Sequence, residues 1–281
     1  MRMIETMNDL IAVLGKLDHA AVAVSGGIDS TLLAVLASEH AGREFEVFHA
    51  VSAAVQADGT KRVKNYAERF GWRLHLIQTG EFVDERYLSN PINRCFYCKH
   101  NLYRTIGSIT DAVILSGTNA SDIGDYRPGL RAAEEFRVRH PYVEAGVTKA
   151  RIRELAKKLE LNDLAELPAQ PCLSSRVITG TRIEEGMLNA IYAVEQHVQQ
   201  YLNARIVRCR SGQGTIRIEL DAAAYASLDD NRRADLESFT AQEFSVNGSG
   251  KELTITFAPY AMGSAFVGSR KPPQRAGQSH G

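Results

Sequence analysis

A glycine-rich stretch near the start of the chain combines the residue types that bind phosphate groups. It reads AVAVSGGIDSTLLAVLA over residues 21–37, with apolar runs on both sides of two adjacent glycines. Glycine lets the backbone approach a ligand, and a helix that begins here presents N–H groups and a positive dipole end to an anion. Asp29 would repel that anion unless Mg²⁺ lay between them. The stretch therefore predicts a phosphate site with a metal ion, or a tight turn with Ser30 as N-cap.

Three cysteines lie in segments where thiols could react or bind metal. Cys95 and Cys98 form a C-x-x-C in NRCFYCKHNLY, residues 93–103, and Cys172 lies in PAQPCLSSRV, residues 168–177. The C-x-x-C pattern alone fits zinc, redox or iron–sulfur chemistry, or two buried thiols. Three thiolates do not complete a Cys₄ zinc site, but they can hold a [4Fe–4S] cluster and leave one iron open to a sulfur ligand.

A charged loop follows the fourth predicted strand. It reads LSGTNASDIGDYRPGLRAAEE over residues 115–135 and contains Asp122, Asp125, Arg127 and Arg131. At the carboxyl edge of a parallel sheet, such side chains suit Mg²⁺ and phosphate or carboxylate groups. The alternative is a capped loop with solvated charges.

The elements that position these residues alternate between strand and helix. Short apolar runs predict strands at 20–24, 45–51, 73–77 and 112–115, and amphipathic runs predict helices at 30–40, 59–70, 96–107 and 148–160. The last helix has Thr148 as its expected N-cap. This alternation predicts an α/β fold with a parallel sheet covered by helices.

A second domain is predicted where the alternation stops. Two prolines and several small residues over 167–183 indicate a linker. A helix at 184–202, a hairpin around Gly212 and Gly214, a helix at 228–240 and the strand KELTITFA indicate a small α+β unit. The expected division is 1–177 and 178–266, with 267–281 as a disordered tail.

The composition restricts the partners. Lys plus Arg and Asp plus Glu are 33 each among 281 residues, so no overall field draws the chain to nucleic acid or anionic membrane. The chain has neither a run of eighteen apolar residues nor a secretory signal pattern, and its four cysteines are too few for a disulfide framework. We therefore expect a cytoplasmic protein without a stable nucleic-acid or membrane partner.

The motifs together resemble a known family. SGGIDS alone resembles the pyrophosphate loop of the PP-loop ATPases, which cleave ATP between the α- and β-phosphates and share a doubly wound, adenine nucleotide α-hydrolase-like fold. NAD and GMP synthetases and tRNA thiolases resemble this loop equally well. With RCFYCK, GTNASDIGDYRPGLRAA, EAGVTKARIRELAKKL and PCLSSR, the chain resembles the LarE family from about residue 18 to 220.

This resemblance implies an activity and assigns residues to it. LarE proteins adenylate a carboxylate of a pyridinium dicarboxylate mononucleotide and replace AMP with sulfur, which gives a thiocarboxylate for the nickel-pincer cofactor of lactate racemase. The implied ATP-binding residues are Ser25, Gly26, Gly27, Asp29, Ser30 and Thr118, with Asp29 also near Mg²⁺. The implied substrate- or phosphate-binding residues are Asp122, Asp125, Arg127, Arg131, Ser175, Arg176, Arg208 and Arg210. A homo-oligomer with a small-molecule nucleotide substrate is also implied.

Two sulfur sources are found among LarE-like proteins. Some members give up the sulfur of one cysteine, matching Cys172 here, and keep dehydroalanine. Others hold a [4Fe–4S] cluster on three cysteines, matching Cys95, Cys98 and Cys172, and this form is favoured because all three are present. The remaining alternatives are a tRNA thiolase and a nucleotide-responsive scaffold without turnover. Cys209 is expected to be a structural thiol.

Overall fold

The chain divides into two compact units. The structure, a computed structural model, describes residues 2–42, 44–124, 127–247, 253–261 and 264, and for residues 2–6 the backbone alone. The first unit contains the chain up to Ser174 together with Ile183–Asn189, and the second contains Ser175–Arg182 together with the chain from Ala190 onward. Asp125 and the predicted tail at 267–281 lie outside the described residues. The predicted domain boundary after residue 177 falls inside Ser175–Arg182, which belongs to the second unit, and it stays a prediction.

The first unit is built on a four-stranded parallel sheet. Its strands are β1 (His19–Ala23), β2 (Glu44–Ala50), β3 (Arg73–Ile77) and β4 (Val113–Ser116), in the order β3-β2-β1-β4. The chain winds outward from β1 to β3 and then returns to the other side of β1. This confirms the predicted doubly wound α/β fold, whose ligands bind outside the carboxyl ends of the strands where the order reverses. That point lies between β1 and β4.

Nine helices accompany this sheet in the described part of the first unit. They are α1 (Arg2–Leu14), α2 (Ile28–His40), α3 (Ala57–Phe70), α4 (Glu85–Leu88), α5 (Arg94–Gly107), α6 (Gly129–Glu135), α7 (Pro141–Glu144), α8 (Lys149–Lys158) and α9 (Asn162–Ala165). Short 3₁₀ turns occupy Glu81–Val83, Ala120–Asp122 and Leu173–Arg176. The four helices predicted from the sequence are all present, whereas no element had been assigned to the residues of α1.

Two apolar cores cover the two faces of the sheet. Along β1, Ala20 and Val22 belong to a core that contains buried residues of α1, α2 and α8, whereas Ala21 and Ala23 belong to a core with residues of α5 and α6. Successive side chains of a strand point to opposite faces, so a strand with helices on both sides is apolar throughout. This explains the unbroken AAVAV run before the glycines.

The second unit contains a three-stranded sheet with helices. Its strands β5 (Val207–Gly212) and β6 (Thr215–Leu220) are antiparallel, β7 (Thr254–Pro259) is parallel to β6, and the order is β5-β6-β7. The turn between β5 and β6 has positive φ at Gln213 (51°) and Gly214 (77°), as in the hairpin turns that match strand twist. The helices are α10 (Glu185–Leu202), which begins in the first unit, α11 (Ala222–Ala226) and α12 (Asp230–Val246). The predicted hairpin is confirmed.

Among the described residues, no helix has both the length and the apolar character to cross a bilayer.

Candidate active site

The glycine-rich stretch forms the loop between β1 and α2. Gly27 is the N-cap of α2, so the alternative in which Ser30 caps the helix is wrong. Ser30 instead lies inside the first turn, where its Oγ accepts the N–H of Ser25 at 3.0 Å and lies 3.1 Å from Ser25 Oγ. These contacts hold the loop closed on itself. The first N–H groups of α2 have no carbonyl partner within the helix and are available to an anion.

Close backbone contacts surround this loop. Gly26 has φ +81°, and a Cβ added to it would lie 2.6 Å from the carbonyl oxygen of Gly59 in α3. On the opposite side, a Cβ added to Gly117 after β4 would lie 2.7 Å from the amide nitrogen of Ser30. Arg62 Nη1 also donates a hydrogen bond to the Gly26 carbonyl at 2.7 Å. The loop therefore has little freedom to change its shape.

Asp29 is held by two side chains that the sequence analysis missed. The ammonium group of Lys149 forms an ion pair with Asp29 Oδ2, and Asn119 Nδ2 donates to Oδ1 at 3.4 Å. Lys149 is the first residue of α8, directly after the N-cap Thr148, whose Oγ1 accepts the N–H of Arg151 at 3.5 Å as predicted. One indication of Lys149 in the sequence was its position directly after the predicted N-cap Thr148.

The Asp29 carboxylate also fits Mg²⁺. This ion keeps several waters and is usually bound by one or two carboxylates together with substrate phosphates. Asp29 keeps 27% of its side chain exposed at the start of α2, beside the N–H groups suited to phosphate. It therefore supplies the donor that Mg²⁺ needs, provided that Lys149 moves off the carboxylate.

A chain of polar groups lies at the carboxyl end of β4. Ser116 Oγ is 3.0 Å from Thr118 Oγ1 and 2.7 Å from His140 Nδ1. Burial lowers the pKa of His140, so its ring is neutral near pH 7. Thr118, which was predicted to contact ATP, is thus oriented through Ser116.

Two of the charged residues after β4, Asp122 and Arg127, contact each other. Asp122 closes a capping box on the Ala120–Asp122 turn, where its Oδ2 accepts the N–H of Asn119 at 3.1 Å, and its Oδ1 lies 2.6 Å from Arg127 Nη2. The Arg131 guanidinium lies 5.5 Å from the ring centre of Phe96 in α5. A ligand that needed Asp122 or Arg127 would have to replace this ion pair.

The three cysteines predicted to act together interact electrostatically within the first unit. Desolvation raises the pKa of Cys95, and repulsion by Cys172 raises it further. Cys98 is less exposed than Cys95, and desolvation is the main cause that raises its pKa to about 12, with a further contribution from Cys172. Since charge repulsion couples all three, their thiols lie in one neighbourhood.

Cationic and phenolic side chains surround these thiols. Hydrogen bonding and charge from the buried Arg94 oppose the rise in the pKa of Cys95, and Lys99 acts in the same direction on Cys98. The hydroxyl of the buried Tyr87 lies 2.5 Å from Ser174 Oγ, two residues after Cys172. These residues were not predicted from the sequence, although Arg94 and Lys99 directly flank the C-x-x-C.

The segment with Cys172 is attached to the phosphate-loop side of the unit. The N–H of Leu173 donates to the carbonyl of Ala54 at 2.9 Å. Arg62 Nη1, which donates to the Gly26 carbonyl, also contacts Gln170 Oε1 at 3.3 Å. One guanidinium therefore links the phosphate loop to the segment that contains the third thiol.

The donor chemistry of this thiol group fits a [4Fe–4S] cluster, which requires thiolates and tolerates one open iron. In the part of the chain that the structure describes, however, no group of three or more His, Cys, Asp or Glu side chains has the arrangement of a metal site.

The basic residues predicted to bind substrate phosphate in the second unit form buried ion pairs. Arg176 is fully buried and makes a two-point contact with Glu195, with both nitrogen–oxygen distances at 2.9 Å. Arg210 Nε donates to the buried Glu219 at 3.0 Å, and its Nη1 donates to the Ser175 carbonyl at 3.0 Å. A phosphate would have to replace these carboxylates, and the assignment of Arg176 and Arg210 to it stays a prediction.

Arg208 and Cys209 have different surroundings on the same strand. The Arg208 guanidinium lies 5.9 Å from the ring centre of Tyr260 and is only partly exposed. Cys209 is fully buried, which raises its pKa well above the usual value, and its N–H donates to Glu195 Oε1 at 2.8 Å. This is the environment of a structural thiol.

A cavity of about 440 Å³ opens at the carboxyl end of β2, next to α3. Below it, the buried His49 joins two elements, because its Nδ1 contacts the Val24 carbonyl at 2.8 Å and its Nε2 contacts Thr60 Oγ1 at 2.9 Å. Burial lowers the pKa of His49, so a neutral ring bridges the end of β1 and α3. The residues that line the cavity include Val51, Ser52, Val55, Thr60, Lys61 and Lys64.

The chain is similar in sequence to a known family and to several known proteins. Residues 18–120 match the asparagine synthase family. The chain is 30% identical over 219 residues to the pyridinium-3,5-bisthiocarboxylic acid mononucleotide synthase of Lactiplantibacillus plantarum, and the aligned residues cover 76% of this chain and 79% of that protein. It is 35% identical over 218 residues to an uncharacterized protein of Synechocystis, with 76% and 81% covered. A third relative, an uncharacterized protein of Methanocaldococcus jannaschii, is 29% identical over 205 residues, with 71% and 77% covered.

Proposed function

This chain belongs to the LarE family within the PP-loop superfamily, and from this we propose that it is an ATP-dependent sulfur transferase that acts on a carboxylate of a nucleotide. The acceptor is a pyridinium dicarboxylate mononucleotide, and the product is its thiocarboxylate. One observation carries the proposal: the first unit contains both a phosphate loop with Asp29 and a group of three interacting thiols. The first feature suits activation of a carboxylate, and the second suits its conversion by sulfur.

Adenylation is the step that the phosphate loop supports. A carboxylate oxygen attacks the α-phosphorus of ATP, a new oxygen–phosphorus bond forms, and pyrophosphate leaves with the electron pair of the broken bond. The free N–H groups at the start of α2 bind the phosphates, while Ser25 and Ser30 keep the loop in shape. Asp29 would hold Mg²⁺, which would supply positive charge to the phosphate oxygens. We also propose that the nucleoside part of ATP binds in the cavity beside β2.

Sulfur transfer is the step that the thiol group supports. An acyl-adenylate has a good leaving group, so a sulfur nucleophile forms a carbon–sulfur bond as the carbon–oxygen bond to AMP breaks. Cys95, Cys98 and Cys172 would hold a [4Fe–4S] cluster, which when bound would supply an open iron for hydrosulfide. Arg94 and Lys99 place positive charge beside the sulfur atoms and favour their anionic forms. Arg62 connects the Cys172 segment to the phosphate loop.

The first experiment measures pyrophosphate release with purified protein, Mg²⁺ and ATP. Release should depend on the pyridinium dicarboxylate mononucleotide and not on tRNA, and mass spectrometry should detect the thiocarboxylate when a sulfur source is present. Dependence on tRNA would support a tRNA thiolase. ATP binding without pyrophosphate from either acceptor would support a nucleotide-responsive scaffold.

A second experiment identifies the sulfur source. Anaerobically reconstituted protein should be brown and contain about four iron atoms per chain. Cys95→Ser, Cys98→Ser and Cys172→Ser should each lose iron, whereas Cys209→Ser is the matched control because that thiol is buried in the second unit. Colourless protein whose Cys172 loses the mass of one H₂S after a turnover would show sacrificial donation. We also propose that the protein is a cytoplasmic homo-oligomer.

A further inference from the structure

We propose that Arg62 is a positioning residue that couples the phosphate loop to the sulfur-bearing segment, residues 168–172: it sets the place of Cys172 relative to the loop and holds it more firmly when a nucleotide is bound. This inference rests on the proposed function, because it concerns the delivery of sulfur to the acyl-adenylate. Arg62 acts through the loop on one side and through the sulfur-bearing segment on the other.

The backbone of Arg62 is fixed against the phosphate loop. It lies in the second turn of α3, three residues after Gly59, whose carbonyl oxygen would be 2.6 Å from a Cβ on Gly26. The next residue, Val63, is fully buried and Tyr66 is 4% exposed, so the helix is anchored in the core of the first unit. The Arg62 side chain therefore starts from a point that packing against the loop determines.

One nitrogen of Arg62 contacts both segments. Its Nη1 donates to the Gly26 carbonyl at 2.7 Å and contacts the side-chain oxygen of Gln170 at 3.3 Å, although these residues lie 36 and 108 positions away in the chain. Each terminal nitrogen of a guanidinium carries two N–H groups in a rigid plane, so two acceptors can be held at a fixed angle to each other. The contact thus fixes both a distance and a direction between the loop and Gln170.

The sulfur-bearing segment depends on polar contacts for its position. Its residues are all exposed, so burial of apolar side chains does not hold them. Directly after it, Leu173 is 2% exposed and donates its N–H to the Ala54 carbonyl at 2.9 Å. Gln170, which receives the Arg62 contact, lies two residues before Cys172. The thiol therefore lies between two attachments, and the one made by Arg62 leads to the phosphate loop.

Nucleotide binding acts on this link through a single peptide group. The carbonyl of Gly26 and the N–H of Gly27 belong to the same group, and this N–H has a long contact of 3.4 Å with Ser25 Oγ. A phosphate oxygen that accepts the Gly27 N–H polarises the group and makes its carbonyl a stronger acceptor, because hydrogen bonds in a chain reinforce one another. The bond from Arg62 to Gly26 then strengthens, and the sulfur-bearing segment is held more firmly.

The position of the thiol decides the fate of the acyl-adenylate. Water converts this intermediate to AMP and the original carboxylate, whereas sulfur converts it to AMP and the thiocarboxylate. Reacting atoms must approach to about 3–3.5 Å, and a displacement of about 1 Å can lower the rate by about two orders of magnitude. A segment of exposed residues meets this requirement only when it is restrained. Arg62 supplies such a restraint, and the nucleotide strengthens it.

The test breaks the link from either end. Arg62→Gln removes the guanidinium, Arg62→Lys keeps the charge without the planar group, and Gln170→Ala removes the acceptor at an exposed position without altering α3. The control is Arg69→Gln, because Arg69 is an exposed residue of α3 whose guanidinium lies 5.1 Å from the ring centre of Phe70. Urea unfolding verifies that each variant is folded.

The first readout is the rate at which iodoacetamide alkylates Cys172, followed in peptide mass maps. It uses the full-length, iron-free protein and Mg²⁺, without and with saturating α,β-methylene-ATP, so neither the acceptor nor a sulfur source is needed. In the wild type and in Arg69→Gln, the nucleotide should slow alkylation by about threefold, the effect of one modest hydrogen bond. In Arg62→Gln and Gln170→Ala, alkylation should be about threefold faster without nucleotide and should not respond to it. The double variant should match the single ones, because both changes remove the same contact.

The second readout is the ratio of AMP to thiocarboxylate formed from the mononucleotide. Arg62→Gln should raise this ratio by about tenfold, because a less restrained sulfur competes poorly with water. Arg62→Lys should give an intermediate ratio, and Arg69→Gln should match the wild type. The rate of pyrophosphate release should change less than this ratio, because adenylation precedes sulfur transfer.

Two results would overturn the inference. Nucleotide protection of Cys172 that is absent from the wild type, or that persists in Arg62→Gln, would show that this link does not carry the coupling. A ratio of AMP to thiocarboxylate that is unchanged in both Arg62→Gln and Gln170→Ala would show that the link does not position sulfur. If the wild-type protein released no pyrophosphate with the mononucleotide, the proposed function would be wrong, whereas the alkylation rates would still decide whether Arg62 couples the loop to Cys172.

Discussion

Replacing Gly26 by alanine should destabilise the first unit, whereas the same replacement of its neighbour Gly27 should not. The two glycines are equivalent in the sequence motif but not in the structure. Gly26 has φ +81°, and its new Cβ would lie 2.6 Å from the Gly59 carbonyl oxygen and 2.9 Å from the Gly59 Cα. Gly27 has φ −80°, and its Cβ would meet only Ser25 Oγ at 3.5 Å, an ordinary contact.

The expected magnitudes follow from these geometries. A left-handed backbone costs an alanine about 1–2 kcal/mol, and forcing a methyl group against backbone atoms costs about 1–3 kcal/mol more. Gly26→Ala should therefore lower the free energy of unfolding by roughly 3 kcal/mol, or the midpoint of thermal unfolding by roughly 6–12 °C. In Gly27→Ala, the lower entropy of the unfolded chain stabilises the protein and the poorer N-cap destabilises it. Each effect is below about 1 kcal/mol, so the two nearly cancel.

The assay uses the single tryptophan of the chain. Trp72 is 7% exposed and packs against Phe45, Tyr66 and Phe70 in the first unit, so its fluorescence reports unfolding of that unit in urea. Gly27→Ala should remain as stable as the wild type and still bind ATP less tightly, because its methyl group lies where phosphate approaches the loop. Equal losses of stability in both variants, or no loss in Gly26→Ala, would refute this reasoning.

Three further predictions concern protonation, buried charge and thiol reactivity. Burial lowers the pKa of His49 below 6.5, so below that pH the unfolded chain binds more protons than the folded chain does. The free energy of unfolding, measured in urea, should therefore fall by up to about 1.4 kcal/mol for each pH unit below 6.5, and it should fall less steeply in His49→Gln. Glu195→Gln leaves the Arg176 charge buried without its partner carboxylate and should lower the free energy of unfolding by about 3–5 kcal/mol, as measured by circular dichroism in denaturant titrations. The double variant Arg176→Met with Glu195→Leu should recover most of this loss, because it removes both buried charges. In peptide mass maps, maleimide should label the exposed Cys95 well before the buried Cys209, which should react only on unfolding; equal labelling rates would contradict the burial of Cys209.

Much of the fold could be predicted because its signals are local. The strands of the first unit and the helices that flank them were evident from apolar runs and helical periodicity, and Thr148 was correctly expected to cap its helix. Helix α1 was not predicted from the sequence, although its residues Leu10 and Leu14 are fully buried. The strand order is a long-range property, but the doubly wound connection rule left few alternatives.

The candidate site was only partly predictable. The phosphate loop and the three thiols could be found because each is marked by residue types and spacing within a short segment. The predicted phosphate ligands Arg176 and Arg210 show the limit of this approach, since their buried partners Glu195 and Glu219 lie 19 and 9 residues away. Nothing in the segments PCLSSR or RCR indicates that these cations are already paired.

By itself, the sequence determined the class of fold, the position of the phosphate loop and the presence of a thiol group that could supply sulfur. These features depend on periodicity, glycine spacing and residue chemistry, which neighbouring residues encode. Only the tertiary structure decided that Lys149 is the cation at Asp29, that Gly26 and not Gly27 is confined by Gly59, and that Cys172 interacts with Cys95. Each is a contact between segments distant in the chain, and such contacts arise only when the sheet and its helices bring those segments together.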